Sequence, residues 1–449
     1  MTHNRSLLGL ALVGAIAVYA NSFPGVFQFD DYNVIVGEAQ VHTWHGWLAG
    51  LEHGLRPLLK LTYLLNWLAG PGVFGFHLFN LSIHLVNIGL VYALTLAFGE
   101  RCGVSRDWHS TAFATAILFA LHPVHTEAIS YISGRSTLLM TMLYLAALLA
   151  YNCAVQREAP WSISAMLLFG CAVLTKETAL LFPLAVLVWE WALHTPWRKI
   201  ASRQYPYWAI SLAAAMILLV LHGYRNLLEN VLFARDLPQA FLTQLFATSA
   251  LLGKLIWPTE LNIDPDWPVI QDLFAVLPQM AGITVLLGLA WWFRRRRPWL
   301  SLGLGWALLH LLLLHSLLPR TDIANERQLY WGDWAFLMML AAESEGFFSR
   351  RTATVLLVLV AGLLGWATVA RNSTYHSEIS LWEDTVQKSP HKARGYNNLG
   401  YAYQLAGRNQ NAAWAYRRAL HCDPDYVKAS SNLGALPVVN GGKNFTLSP

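Results

Sequence analysis

The strongest constraint on this chain is a succession of apolar runs, each about the length that crosses a lipid bilayer. Inside hydrocarbon every backbone N–H and C=O has to be satisfied within its own segment, so such runs fold as helices. The clear ones begin near Leu7, Phe76, Ala112, Thr137, Trp161, Leu180, Trp208, Phe274, Leu300, Trp331 and Thr352. That predicts an all-α, polytopic membrane protein of about eleven transmembrane helices. Charged residues make up 13% of the chain, against about 25% in soluble domains. The run from Leu7 to Ala20 has the look of a signal peptide but a poor small-residue cleavage pattern, and is read as a retained first span.

Basic residues set the orientation. Arg5, Arg101 with Arg106, Arg157, Arg198 with Lys199 and Arg203, Arg294 to Arg297, and Arg350 with Arg351 mark the cytoplasmic ends. The alternation holds if the stretch Ala240 to Trp257 is re-entrant or interfacial and does not cross. Pro57 to Ala69 reads as a helix along the outer face. The net charge of +5 belongs to these loops; no basic stripe interleaved with aromatics suggests a nucleic-acid groove. Cys102, Cys153, Cys171 and Cys422 lack a C-x-x-C pair and read as packing thiols, not a disulfide framework or metal site.

Residues 1–372 are thus expected to form the membrane domain. Residues 373–436 change character: Trp382 and Tyr416, Pro390 and Pro424, Leu399 and Leu433, and Gly400 and Gly434 each lie 34 apart. This is the tetratricopeptide period, with little more than one complete repeat, too few for an independent solenoid. The tail is expected to pack on the membrane domain or on partner repeats. Residues 437–449 read as a disordered tail.

The assigned orientation gathers the remaining polar clusters at the non-cytoplasmic ends of the spans. Asp30 and Asp31, Arg56, His122 to Glu127, Arg135, Lys176 with Glu177, Asp264 with Asp266, and Glu326 with Arg327 all fall there. Ionisable groups are costly at a membrane and mark function when remote segments converge. Asp30 or Asp31 suits a general base acting on an acceptor hydroxyl, against the blander role of a solvated helix cap. Glu127, Tyr131 and Arg135 are spaced to share a helix face, which would make Arg135 a phosphate binder held by an acid. Lys176 and Arg56 would meet a phosphate at headgroup level or snorkel to lipid. Glu326 and Arg327 read as a local ion pair or a second phosphate contact. Asp264-Pro265-Asp266 has the D-x-D form that holds a divalent metal elsewhere, although its proline favours a turn. His122 and His125 with Glu127 make an awkward metal site on a helix, so no metal ligands are assigned. No phosphate-cradling glycine loop or nucleophile elbow is present.

Phe27-Gln28-Phe29-Asp30-Asp31, Arg56-Pro57-Leu58, His122-Pro123-Val124-His125-Thr126-Glu127-Ala128 with Gly134-Arg135, Lys176-Glu177-Thr178 and Glu326-Arg327-Gln328-Leu329-Tyr330 occur in that order. Together they resemble the motifs of the transmembrane-and-TPR O-mannosyltransferases, within the GT-C superfamily of membrane glycosyltransferases. The resemblance runs from about Phe23 into the tail. It implies a sugar donor linked through phosphate to a polyprenol, used at the non-cytoplasmic face, and inverting transfer to a hydroxyl with a first-loop acid as base. The shortened repeat array departs from the animal members and bears on acceptor recognition.

The resulting expectation is a glycosyltransferase moving mannose or a similar sugar to a protein Ser/Thr or a glycolipid, with no nucleic-acid partner. Asp30 and Asp31 are the catalytic candidates. Arg56, His122, His125, Glu127, Arg135, Lys176, Glu177, Glu326 and Arg327 are the substrate-binding ones. A divalent metal is the one cofactor the residues leave open. Two other classes stand beside this reading: a transporter or flippase of lipid-linked sugars, and a membrane assembly scaffold recruiting partners through the tail. Short loops suggest a bacterial inner membrane, with the site and C-terminus periplasmic; the endoplasmic reticulum is the alternative.

Overall fold

The computed structural model describes residues 2–52, 55–159, 161–220, 237–313, 316 and 322–437. The regular structure of these residues is helical, and no strand occurs among them. By internal contact the chain divides into two compact units: residues 1–261 with 267–373, and residues 262–266 with 374–449. The expected disordered tail lies almost wholly outside the described residues.

The first unit is a helical bundle. Its long elements are α1 (Thr2–Tyr19), α2 (Pro57–Ala69), α3 (Val73–Cys102), α4 (Trp108–Leu121), α5 (Arg135–Gln156), α6 (Ile163–Thr175) and α7 (Phe182–Ala192). They are followed by α8 (Trp197–Val220), α9 (Leu237–Ile256), α10 (Leu277–Phe293), α11 (Pro298–Leu308), α12 (Trp334–Phe347) and α13 (Arg350–Ser373). α3 is the centre, packed against α1, α4 and α5, while α11 pairs with α12. Large rings fill the interior: Trp189, Trp306, Trp334 and Tyr144 are fully buried.

Local sequence explains the punctuation. Gly103 takes a left-handed conformation just beyond α3, a common helix stop. Asp107 then caps α4 through the Ser110 N–H. Pro57 opens α2 after a left-handed Arg56 (φ 58°).

Among the described residues, four helices are long and apolar enough to cross a membrane by themselves: Val73–Cys102, Ile132–Gln156, Leu273–Phe293 and Arg350–Ser373. A fifth follows if Trp108–Leu121 and Pro123–Ile129, bent by 52°, count as one span; Leu7–Ser22, Ile163–Thr175 and Pro298–Leu313 are apolar but shorter. Apolar runs that read as single spans are thus divided by short turns. One such run opens with the 3₁₀ turn Glu177–Leu181 before α7. The stretch expected to be re-entrant forms helix α9.

The second unit comprises α14 (Glu378–Lys388), α15 (Ala393–Leu405), α16 (Asn409–Cys422) and α17 (Val427–Gly434). α15 and α16 pack closely: a Cβ on Gly400 would come within 2.6 Å of the Tyr416 ring. The 34-residue offset carries Trp382 in α14 onto Tyr416 in α16, and Leu399 in α15 onto Leu433 in α17. Both prolines of the repeat, Pro390 and Pro424, fall between helices.

This unit also takes in Asn262–Asp266, which contains the Asp264-Pro265-Asp266 stretch. Asp264 is buried and binds Arg394 through two hydrogen bonds, one of 2.7 Å, and Lys392 as an ion pair. Ser389 bonds the Asp264 carbonyl (2.9 Å) and accepts from Asn262 (2.7 Å). Two cations therefore occupy the first aspartate, which gives Asp264 a structural role.

Candidate active site

The site grows from a break in the bundle. After α4 the chain does not continue as one helix: Pro123–His125 is a 3₁₀ turn, Thr126–Ile129 a single α-turn, and Ile132–Gly134 a second 3₁₀ turn before α5. His122 is extended and ends α4, as expected before proline. Gly134 makes the last turn possible, because a Cβ there would sit 2.3 Å from the Ala128 carbonyl oxygen.

Buried polar groups hold this irregular segment. Asn80 on α3 donates to the carbonyls of Ile129 and Ile132, both at 3.2 Å. Arg135 donates to Asn80 Oδ1 (2.8 Å), the Thr62 carbonyl (3.2 Å) and the Phe76 carbonyl (3.1 Å). Its guanidinium is fully buried and lies 4.8 Å from the Tyr63 ring centroid. This corrects two expectations. Glu127 and Arg135 share no helix face, because the turns at 130–134 rotate one away from the other. Arg135 also spends its donors on the protein, so it braces the fold and is not placed to receive a phosphate.

The histidines are likewise turned inward. His122 Nε2 lies 3.0 Å from the Leu255 carbonyl oxygen at the end of α9. His125 places Nδ1 2.9 Å from the Phe119 carbonyl oxygen and Nε2 2.8 Å from Asp333 Oδ2, with both partners of that pair fully buried. The expectation that His122 and His125 bind substrate gives way to a role in anchoring the break.

Opposite the break stands the first loop, and here the two aspartates part company. Asp31 is fully buried and accepts from the Gln28 N–H (3.0 Å), the Ser133 N–H (2.8 Å) and the Ser133 hydroxyl. Burial pushes its carboxyl up to about 7, and the Ser133 and Gln28 hydrogen bonds oppose the rise. Asp30 is half-buried; its N–H donates to the Tyr131 hydroxyl (3.1 Å), while its carboxylate accepts no hydrogen bond from a described residue. That carboxylate lies within Coulombic reach of Arg327 and Tyr131. Phe29, just before it, has a left-handed backbone (φ 49°), a strained state of the kind concentrated at functional sites.

Of the two readings of Glu326 and Arg327, the local ion pair is not formed; each finds a distant partner. Glu127 accepts from the Arg327 N–H (3.0 Å) and faces its Nε at 3.5 Å. Glu326 pairs with Lys254 at 3.2 Å. The Nη groups of Arg327 make no hydrogen bond with a described residue, and its guanidinium sits 5.8 Å from the Tyr131 ring centroid. Arg56 forms a two-point contact with Glu177 (3.0 and 2.8 Å) and is 29% exposed at its side chain. Lys176 is buried, with Nζ on the Thr137 hydroxyl at 2.8 Å.

Asp30, Tyr131, Glu127 and Arg327 therefore form one cluster from three remote segments, with Arg56 and Glu177 a second ion pair contributed by two more. Tyr131, Ser133, Lys254 and Asp333 belong to the assembly, and sequence reasoning gave them no site role. A cavity of about 550 Å³ between α4, α12 and α13 touches His122 but none of Asp30, Glu127 or Arg327.

Comparison with known proteins finds relatives over most of the chain. Residues 64–222 match the family described as dolichyl-phosphate-mannose-protein mannosyltransferase. The human protein O-mannosyl-transferase TMTC1 is 27% identical over 95% of this chain and 57% of its own length. The Caenorhabditis elegans protein O-mannosyl-transferase F38B6.6 is 28% identical over 94% of this chain and 63% of its own length. The Drosophila melanogaster protein O-mannosyl-transferase Tmtc1 is 30% identical over 58% of this chain and 34% of its own. The chain thus spans about three fifths of the first two relatives. Over nearly all of its own length, this chain is similar to the TMTC-type protein O-mannosyl-transferases.

Proposed function

We propose that the chain is a membrane glycosyltransferase that moves mannose, or a similar sugar, from a polyprenyl-phosphate carrier to a hydroxyl of a protein Ser or Thr. The observation that carries the chemistry is the division of labour between neighbouring acids. Asp31 is saturated and buried, so it fixes the first loop against Ser133. Asp30 is half-buried, its carboxylate accepts no hydrogen bond from a described residue, and it lies within Coulombic reach of Arg327, whose Nη groups make no hydrogen bond with a described residue.

In this reading Asp30 takes the acceptor hydroxyl proton as the oxygen bonds to the sugar's anomeric carbon from the face opposite the carrier phosphate. The bond from that carbon to the phosphate oxygen breaks, and the electron pair leaves with the lipid phosphate. Arg327 stabilises the developing charge, and Glu127 holds Arg327 in place. Arg56, clamped by Glu177, borders the same region. The departing group is a phosphate with no nucleotide attached, so guanidinium groups are assigned the charge-stabilising role and a divalent metal is assigned none.

The remaining expectations fit around this site. About eleven spans would place it at the non-cytoplasmic face, periplasmic in a bacterial inner membrane and lumenal in the endoplasmic reticulum; the animal relatives weigh toward the second. The helical second unit, with its tetratricopeptide spacing, would present an acceptor or partner on that side. Transfer of radiolabelled mannose from polyprenyl-phosphate-mannose to exported protein, measured for wild type and Asp30→Asn in detergent, tests the proposal. Equal transfer by a correctly inserted Asp30→Asn protein refutes it.

A further inference from the structure

A second built pocket lies one helix length from the site. α7 starts at Phe182, beside Glu177, and ends at Ala192; α10 and α11 meet through the arginine run at 294–297. The turns that follow α7 and α10 are joined. His194 Nε2 lies 3.0 Å from the Arg294 carbonyl oxygen, and Trp191 stacks on Trp291 with centroids 6.0 Å apart and planes 26° from parallel. His194 holds a left-handed backbone (φ 57°) in making this contact. Between the turns is a pocket of about 310 Å³ lined chiefly by Trp191, His194, Thr195, Trp197, Arg294 and Arg295.

Its cations have few ion-pair partners among the described residues. Arg297 is paired with Glu343 at 2.6 Å, but Arg294, Arg295 and Arg296 form no ion pair among the described residues. Neither do Arg198, Lys199 and Arg203 at the start of α8. The neighbouring carboxylate, Glu190, is fully buried and already bound twice by Arg101. Arg294 lies 3.8 Å over the Trp291 ring. Trp197, Trp291 and Trp292 are 68%, 58% and 80% exposed.

Scattered cations alone would be the ordinary mark of a cytoplasmic loop. Two turns pinned together around a concavity, with cations and the exposed Trp197 indole on its wall, are a more specific object. Exposed tryptophans settle at the level where headgroups meet acyl chains, and α10 continues the apolar surface with Val285, Leu287 and Leu289 exposed. A soluble anion would use the cations and leave that apolar margin unused.

We infer that this pocket binds the headgroup of an anionic phospholipid, with the phosphodiester at Arg294 and Arg295 and the acyl region along Trp197. The assignment is independent of the sugar-transfer reaction. Native mass spectrometry of the full chain, equilibrated with equal amounts of phosphatidylglycerol and phosphatidylcholine of the same chain length, tests it. Wild type should retain phosphatidylglycerol in preference by about tenfold, and the preference should fall as ionic strength rises. Arg294→Gln with Arg295→Gln should abolish the preference, whereas Lys at both positions should keep most of it. Absence of preference in wild type, indifference to salt, or an undiminished preference in the Gln variant overturns the inference. Displacement of the lipid by excess inorganic phosphate overturns it in favour of a soluble-anion site.

Discussion

Asp31 accepts both the backbone N–H and the hydroxyl of Ser133, a residue 102 positions further along the chain. That contact fixes the first loop to the broken segment after α4, and so sets where the neighbouring Asp30 stands. Asp30 then lies within Coulombic reach of Arg327, whose own position depends on Glu127 in the same segment.

The two acids should respond differently to amide substitution. Asp30→Asn should lower transfer by about 10²-fold or more while leaving insertion, unfolding temperature and donor affinity close to wild type. Asp31→Asn should lower stability and activity together, because one acceptor for Ser133 is lost. Single-turnover transfer and thermal unfolding in detergent measure the split; identical behaviour of the two variants counts against the assignment.

Asp31 should also make stability depend on pH. Its carboxyl is raised by burial from an ordinary 3.8 to about 7 in the folded protein, so the folded state keeps a proton that the unfolded chain releases. This contribution is fully present below about 4 and is lost as pH rises through about 7. The unfolding midpoint of wild type should fall over that interval relative to Asp31→Asn, which lacks the titration. Parallel pH profiles would remove Asp31 as the cause.

Arg327 has a structural and a chemical task that can be separated. Arg327→Gln leaves Glu127, 1% exposed at its side chain, as an unpaired buried acid, and should cost on the order of 3 kcal/mol. Adding Glu127→Gln should restore much of that stability but not transfer. Recovery of transfer in the double variant would reduce Arg327 to a structural partner.

Gly134→Ala should be more damaging than a glycine-to-alanine change on a helix surface. The added methyl meets the Ala128 and Glu127 carbonyl oxygens at 2.3 and 2.7 Å, and overpacking of this kind costs about 1–3 kcal/mol. Expression level and unfolding temperature report it. A normal protein would show that the turn has room to relax.

Much of the architecture could be read in advance because lipid imposes it: helices alone satisfy the apolar runs, and costly polar residues at their ends stand out. The Asp30–Asp31 loop, Arg327 and the Arg56 and Glu177 positions stand out as site candidates on that principle. What could not be read was the direction of side chains across a break. A continuous helix was assumed through Glu127, Tyr131 and Arg135, whereas Pro123 and the Ser133-Gly134 step divide it; those residues were the available signal. Tyr131, Lys254 and Asp333 carry no motif of their own, and only the fold brings them to Asp30, Glu326 and His125. The partners of Asp264-Pro265-Asp266 were illegible for the same reason, since Lys392 and Arg394 lie well over a hundred residues away.

That last segment bears on how such proteins can be recombined. Asn262–Asp266 belongs by contact to the second unit, although the chain on both sides of it belongs to the first. The tail is consequently not a cassette that ends at one cut. A chimera exchanging everything after Ser373 would bring in foreign helices without the five residues that complete them, and would strand Asp264 with no cation. Grafts between relatives should therefore succeed when this internal peptide travels with the tail, and fail when it is left behind.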